Sequence, residues 1–290
     1  MPRSVEELIA LLDLEAVEDN LFRGRQPDTA LQRVFGGQVA AHALVAAART
    51  VESRYVVHSM HSYFLRPGDT SVPIVYDVTS VRDGRSFATR GVLARQHGRP
   101  IFQMSANFQV PEDGLDHQDV MPDAPPPEEC QDLIEVGGRA GGDSEAWERE
   151  WAALQVRYVG DSRPGGPLDD PAVPARARLW IRVNGRLADE PLQHLAAFTY
   201  ASDMTLLGAA LVPHGVPISS PEIQAASLDH SIWFHRPFRA DEWWLYDQHS
   251  PSASGGRGLA VARVFAQDGR LVASVAQEGL IRPVGQDRRP

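Results

Sequence analysis

Two stretches of the chain show short apolar runs that are separated by turn residues. The first covers residues 56–110, where the pairs Pro67-Gly68 and Asp83-Gly84 divide runs rich in β-branched and aromatic residues. The second covers residues 223–281. Runs of this length and composition between turn signals are typical of strands joined by tight connections. The pattern therefore predicts two antiparallel meanders.

Each meander is preceded by a helix-length stretch that is apolar on nearly every side. In residues 39–48 only His42 interrupts the apolar run, and residues 191–204 carry the second stretch. A helix without a broad polar face is buried on most of its sides. We therefore predict an α+β fold in which two tandem antiparallel sheets each wrap around a central apolar helix.

The two meanders also resemble each other in sequence. The same dipeptides recur in the same order at offsets of 169 to 170 residues: His61-Ser62 with His230-Ser231, Arg66-Pro67 with Arg236-Pro237, and Tyr76-Asp77 with Tyr246-Asp247. A period of this length is too long for a solenoid repeat and indicates two copies of one domain.

The repeat sets the expected domain boundaries. An N-terminal domain is predicted over residues 1–110 and a C-terminal domain over residues 175–290. The segment 111–174 is rich in proline, glycine and acidic residues, and we interpret it as a linker with one short helix near residues 145–154.

Charge limits the classes of partner. The 290 residues include 38 acidic and 28 basic side chains, which give a net charge of −10. This charge argues against nucleic acid and against acidic membrane surfaces as main partners, so a polyanionic ligand needs a local basic patch. The run at 39–48 is about half the length that a bilayer requires, so we expect no stable membrane insertion.

The rare residues exclude several kinds of site. The one cysteine, Cys130, cannot form an internal disulfide, which is typical of a reduced cytoplasmic protein. Every basic residue is arginine, so a phosphate loop of the Walker type and Schiff-base chemistry are excluded. The pair His58 and His61 would face opposite sides of a strand, and we expect no metal site.

Four motifs carry a resemblance to a known family. They are Val34-Phe35-Gly36-Gly37-Gln38-Val39, the run from His58 to Asp69 with sequence HSMHSYFLRPGD, Tyr200-Ala201-Ser202-Asp203, and the run from Leu228 to Pro237 with sequence LDHSIWFHRP. In this order they resemble the type II acyl-CoA thioesterases, the TesB-like double-hotdog enzymes. The resemblance covers both halves and fails mainly in the predicted linker.

The resemblance implies both a reaction and its catalytic residues. It implies hydrolysis of fatty acyl-CoA to a fatty acid and coenzyme A, without a cofactor. Members of the family hold a water between an Asp, a Ser or Thr, and a Gln, and the matching positions here are Asp203, Ser227 and Gln277. A carboxylate late in an apolar helix suits this role, because burial and the helix C-terminus both raise its pKa.

The first half is expected to contribute to substrate binding. By the repeat, Ser227 corresponds to His58, so only the second half has the polar set. We expect the first half to supply walls of the substrate site, with His58 as a candidate, and Trp233 of the second half is a further substrate-binding candidate. Gly36 and Gly37, at the start of the first helix, are candidate donors to the oxyanion.

Several alternatives stay open on the residues alone. One is a non-catalytic acyl-CoA-binding module, and another is an enoyl-CoA hydratase on the same fold, which would need an Asp and a His acting together. Arg66 and Arg236 either contact the phosphates of coenzyme A or pair with Asp69 and Asp241; we favour the ion pairs. The histidines at 42, 61 and 230 are interpreted as structural. Exposed sheet edges favour a homodimer or homotetramer.

Overall fold

A computed structural model describes residues 1–139 and 144–285. Residues 140–143 of the predicted linker and residues 286–290 lie outside the described part. The helices are α1 (Val5–Leu12), α2 (Gly36–Ala48), α3 (Leu133–Arg139), α4 (Ser144–Trp151) and α5 (Pro191–Ser202), with 3₁₀ helices at Pro127–Glu129 and Leu206–His214.

In the described part of the chain, the strands form one antiparallel sheet of 14 strands. They are β1 (Glu15–Glu18), β2 (Leu21–Gly24), β3 (Val56–Phe64), β4 (Ile74–Asp83), β5 (Phe87–Gln96), β6 (Arg99–Gln109), β7 (Gln131–Asp132), β8 (Leu154–Asp161), β9 (Arg176–Val183), β10 (Ile223–Ser227), β11 (Asp229–Phe234), β12 (Trp244–Ser254), β13 (Arg257–Ala266) and β14 (Leu271–Pro283). Their order is β1-β2-β4-β5-β6-β3-β11-β14-β13-β12-β9-β8-β7, with β10 pairing β14.

The two halves of the sheet repeat one arrangement. In the first half the order is β2-β4-β5-β6-β3, and in the second it is β9-β12-β13-β14-β11, with the helix inserted after the first of these strands in both. The predicted α+β architecture is confirmed. The two halves of the sheet are joined where β3 and β11 pair antiparallel, with Met60 opposite Ile232.

The two central helices form the core with the sheet. Every residue of α2 from Gly37 to Ala47 is buried, and the helix packs on β3, β4, β5 and β6. On α5, Phe198 makes edge-to-face contacts with Trp244 and Phe238, at centroid distances of 5.1 and 5.2 Å. Helices α2 and α5 also pack against each other. This contact brings the start of one helix to the end of the other.

Part of the predicted linker belongs to the sheet. Strand β8 pairs with β9 in register, with Val156 opposite Ile181, and extends the second half of the sheet. The short helix expected near residues 145–154 is observed as α4. The segment that follows β8, residues 162–174, is rich in proline and glycine, and this composition concealed the strand in the sequence. The division of the chain into two domains and a linker stays a prediction.

One stretch has the length and hydropathy of a membrane span. It covers Pro191–His214, which is α5 with the following 3₁₀ helix, and 72% of its most apolar window is buried inside the fold. The burial matches that of a core helix, because α5 contacts α2 and aromatic side chains of the sheet.

Candidate active site

Asp203 stands at the point where the apolar helix α5 ends. It is the C-cap residue of this helix, with φ −82° and ψ −10°. The residue keeps a partly exposed surface, but its carboxyl group is enclosed by protein atoms. This burial raises the pKa of the Asp203 carboxyl to about 6. The carbonyl end of the helix dipole also disfavours negative charge here.

Two side chains from neighbouring strands meet this carboxylate. Ser227, the last residue of β10, donates through Oγ to Asp203 Oδ1 at 3.0 Å. Gln277 on β14 donates through Nε2 to the same oxygen and to Ser227 Oγ, the latter at 3.0 Å. These bonds favour the ionised carboxylate and lower its pKa, but burial is the larger effect. The structure thus brings together the three residues predicted as catalytic.

The pairing of β10 with β14 explains why these side chains meet. Ser227 lies opposite Gly279 in this pairing, which is two residues from Gln277 and therefore on the same face of β14. Gln277 is fully buried. Its Oε1 atom is also buried and has no hydrogen-bond partner among the described residues. An acceptor of this kind costs free energy unless a ligand or water binds it.

The first turn of α2 closes the site from the other half of the chain. The backbone N–H of Gly37 donates to the Asp203 carboxylate and lowers its pKa. A Cβ atom on Gly36 would lie 2.6 Å from Asp203 Oδ2, and one on Gly37 would lie 2.2 Å from the carbonyl oxygen of Tyr200. Only glycine allows the two helix ends to approach this closely.

A cleft of about 330 Å³ opens beside these residues. Gly36, Val39, Phe64, Ala226 and Ser227 line it, so both halves of the chain contribute. The walls are mostly apolar, and the buried Asp203 carboxylate lies directly behind Gly36 and Ser227. An apolar cleft with a few convergent polar groups is the usual form of a small-molecule site. A carboxylate whose pKa is near 6 can act there as a general base.

Comparison with known proteins places both halves of the chain in one family. Residues 169–280 match the family model described as acyl-CoA thioesterase, and residues 25–109 match the acyl-CoA thioesterase N-terminal domain. The chain is 39% identical to acyl-CoA thioesterase 2 of Haemophilus influenzae over 96% of its own length and 98% of that protein. The chain belongs to the acyl-CoA thioesterase family.

Other members support this family assignment. The chain is 41% identical to human acyl-coenzyme A thioesterase 8, over 94% of this chain and 88% of that protein. The crystal structure of acyl-CoA thioesterase II TesB2 from Mycobacterium marinum superposes with a TM-score of 0.82 at 46% identity, covering 95% of this chain and 98% of that one. A protein from Alicyclobacillus acidocaldarius, described as having a hot dog fold, superposes with a TM-score of 0.76 at 21% identity and supports the fold.

Two of the predicted substrate-binding residues of this family member lie elsewhere. The antiparallel ladder pairs Asp229 with Tyr63 and Trp233 with Ser59, so the end of β3 that carries His58 is about 23 Å along the ladder from Ser227. His58 faces Phe87. Neither His58 nor Trp233 lines the cleft. The structure brings only Gly36 and Gly37 of the four candidates to the site.

The histidines at 42, 61 and 230 make structural contacts, and His61 Nδ1 lies 3.1 Å from Ser231 Oγ. His42 is buried and bonds the hydroxyl of Tyr76 at 3.1 Å and the carbonyl of Leu11 at 2.8 Å, and burial lowers its pKa to about 4. His230 Nε2 lies 2.8 Å from Ser202 Oγ, and burial lowers its pKa to about 3. Among the described residues, no histidine bonds Asp203 and no three potential ligands form a metal cluster.

The expected ion pairs of the two repeated arginines are wrong. Arg66 donates to the carbonyl of Pro100 rather than to Asp69. Arg236 donates to the carbonyl of Leu271 and pairs with Asp116. Asp69 and Asp241 have other partners: Ser71 and His97 for the first, and Arg239 for the second. Arg33, which directly precedes the first recognised motif, also lines the cleft, although the sequence did not single it out.

Proposed function

We propose that this chain hydrolyses acyl-CoA thioesters to a carboxylic acid and free coenzyme A, with Asp203 as the base that activates water. The observation that carries the assignment is the buried Asp203 carboxylate, with a pKa of about 6, hydrogen-bonded to Ser227 and Gln277 beside an apolar cleft. The match to acyl-CoA thioesterases, which extends over 96% of the chain for the Haemophilus influenzae relative, supports the thioester as substrate.

The reaction follows from what these groups can donate and accept. A water beside Asp203 gives one proton to the carboxylate as its oxygen bonds to the thioester carbonyl carbon. Gln277 Oε1 is free to accept the second O–H and so orient the water. When the tetrahedral intermediate collapses, the carbon–sulfur bond breaks and Asp203 returns its proton to the departing thiolate. The products are the acid and the thiol, and the base is regenerated.

The oxyanion requires donors that are separate from those that hold the base. Gly37 N–H is already bonded to Asp203, so its role in this mechanism is to hold the carboxylate. Gly36 precedes it in the first turn of α2 and lines the cleft, where the backbone N–H groups carry the positive end of the helix dipole. We therefore assign oxyanion stabilisation to the start of α2 through Gly36.

The direct test is thiol release from acyl-CoA by the wild-type protein and by Asp203→Asn. Loss of a positioned general base lowers kcat by about 10²- to 10⁴-fold. Asp203→Asn keeps the side-chain volume, so circular dichroism and gel filtration should match the wild type. Asp229→Asn is the matched control, because this half-buried carboxylate bonds the Glu278 amide and not the Asp203 site.

The outcomes separate the three candidate activities. Unchanged thiol release in Asp203→Asn would refute the mechanism. A wild-type protein that binds acyl-CoA without releasing thiol would be a binding module instead. Hydration of an enoyl-CoA without thiol release would indicate a hydratase, although no histidine accompanies Asp203 as that reaction would need.

Compartment and assembly belong to the same proposal. We place the activity in the cytoplasm, on the basis of the single buried Cys130 and the bacterial relative. A yeast relative at 26% identity is named as peroxisomal, so cell fractionation is the appropriate test. We expect a homodimer or homotetramer, and light scattering coupled to gel filtration measures this directly. A monomer at micromolar concentration would contradict the expected assembly.

A further inference from the structure

The cleft differs in charge from the rest of the molecule. The chain carries 38 acidic residues and a net charge of −10, yet none of the residues that line the cleft is acidic. Its only charged lining residues are Arg33 and Arg66. Both are exposed, so they lie at the rim of the cleft rather than beside the buried carboxylate. The rim is thus a local basic patch on an acidic protein.

Two hydrogen-bonded segments hold these arginines near each other. Val34, which follows Arg33, donates its N–H to the carbonyl of Gly68 at 3.1 Å. Arg66 precedes that glycine by two residues, its N–H donates to the Ile101 carbonyl, and its guanidinium donates to the Pro100 carbonyl at 2.7 Å. The backbone under both side chains is therefore fixed by the fold.

Neither guanidinium is neutralised by a carboxylate. No acidic side chain of the described residues lies within ion-pair distance of Arg33 or Arg66. Asp69, three residues beyond Arg66, is instead held by Ser71 and by His97, which is 3.0 Å from Asp69 Oδ2. The positive charge at the rim is therefore available to an anionic ligand.

The internal repeat supplies a comparison within the same molecule. Arg236 occupies the position in the second half that corresponds to Arg66, and each donates to a backbone carbonyl at the start of the neighbouring strand. Arg236 is paired with Asp116, whereas Arg66 has no such partner. Of the two equivalent arginines, Arg66, which lines the cleft, is thus the one without a carboxylate partner.

We infer that Arg33 and Arg66 form the docking site for the phosphate groups of coenzyme A. This inference rests on the proposed function, which places the thioester at Asp203. In an acyl-CoA the pantetheine arm separates the thioester from the phosphates, so the anionic groups lie at the rim when the carbonyl is at the base. Guanidinium groups suit this task because they bind phosphate oxygens in a bidentate manner.

The test compares two substrates that share one acyl group. Acyl-CoA carries the phosphates, and the corresponding acyl-pantetheine lacks them. In Arg33→Gln and Arg66→Gln we expect the ratio of kcat/KM for acyl-CoA to that for acyl-pantetheine to fall about tenfold each, mainly through KM. Arg236→Gln is the matched control, since it removes the equivalent arginine outside the cleft, and its ratio should equal the wild-type value.

Two further measurements separate charge from packing. Arg66→Lys keeps the charge and should recover part of the ratio. The KM of the wild type for acyl-CoA should rise with salt, and that of the double Gln variant should respond less, because screening acts on the interaction that the variant has lost.

Each result bears on the inference separately from the catalytic proposal. An unchanged ratio in both Gln variants, with hydrolysis intact, would refute the docking site and leave the proposed function standing. If the wild type hydrolyses neither substrate, the proposed function fails, and calorimetric titration with free coenzyme A then decides the inference. A Kd about tenfold weaker in Arg66→Gln supports docking, and an unchanged Kd refutes it.

Discussion

The raised pKa of Asp203 links the activity of this protein to its stability through one proton. Burial moves the pKa of this carboxyl from 3.8 to about 6, which is a shift of about two units. At 1.36 kcal/mol per unit, ionising Asp203 in the folded chain costs about 3 kcal/mol more than in the unfolded chain. The proposed mechanism requires the ionised form, so the form that would act as the base is the less stable one.

The kinetic consequence is an acid limb in the pH profile. Below pH 6, kcat/KM should fall tenfold for each unit of pH, because only the ionised carboxylate accepts a proton from water. At pH 5 the activity is expected to be about a tenth of its plateau. Loss of the ultraviolet absorbance of the thioester measures the rate over this range without a thiol reagent whose own reactivity depends on pH.

The stability consequence has the opposite sign. Because the folded pKa exceeds the unfolded one, the stabilisation is complete below pH 3.8 and is lost as pH rises through 6. Relative to Asp203→Asn, the wild-type free energy of unfolding should therefore fall by about 1–2 kcal/mol between pH 5 and pH 8. Urea unfolding of both proteins at matched concentration measures the difference.

Either of two results would refute this reasoning. An acid limb with a midpoint near pH 4 would mean that the carboxyl is solvated and not desolvated by the fold. A stability difference between the two proteins that is constant from pH 5 to pH 8 would mean that Asp203 does not titrate in this window. Agreement of the kinetic and the thermodynamic midpoints would identify one group as the source of both.

Three further predictions concern neighbours of this carboxylate and one buried histidine. Gly36→Ala should lower kcat at least tenfold, because its Cβ would lie 2.6 Å from Asp203 Oδ2 and 2.9 Å from the Phe64 ring and would displace both, whereas Gly208→Ala, with open space around its Cβ, should leave kcat unchanged; equal activities would contradict the close approach. Ser227→Ala removes a bond that lowers the pKa of Asp203, so the acid limb should move above pH 6, while Ser227→Thr keeps the hydroxyl and the wild-type midpoint; an unmoved limb in the Ala variant would show that the bond does not form. Burial lowers the pKa of His42 to about 4, so the stabilisation that its neutral form gives the fold is complete above pH 6.5 and is lost as pH falls through 4. Between pH 7 and pH 4.5 the free energy of unfolding of His42→Gln should therefore fall by about 2 kcal/mol less than that of the wild type, and equal decreases in urea unfolding would refute this.

The residue pattern and the internal repeat were sufficient to predict the architecture. Alternating runs between turn pairs predicted the meanders, and the apolar stretches predicted α2 and α5, because burial of a sheet face and of a whole helix both leave a periodic signal. Strand β8 left a weaker signal, since its neighbours are rich in proline and glycine and its pairing with β9 is decided by the fold.

The substrate-binding candidates show where sequence reasoning ended. His58 was predicted to line the substrate site, and the repeat equates this residue with Ser227. The halves join through antiparallel strands, with Asp229 opposite Tyr63, so His58 and Ser227 lie toward opposite ends of the β3–β11 ladder. The similarity between two copies of a motif does not show how the copies are oriented relative to each other. In this protein the antiparallel pairing of β3 with β11 determines that orientation.

The ends of the two central helices show how the halves have diverged. At the C-terminus of α2, the buried guanidinium of Arg90 donates to the carbonyl and hydroxyl of Thr50 and pairs with Asp83, so a cation meets the negative end of the helix dipole. At the C-terminus of α5, the equivalent corner holds the Asp203 carboxylate, which meets that negative end with like charge. One copy stabilises its helix end, and the other retains a destabilising carboxylate that only hydrogen bonds from Gly37, Ser227 and Gln277 offset. The two helix ends thus carry groups of opposite charge, and only the end of α5 presents the carboxylate that the proposed mechanism uses.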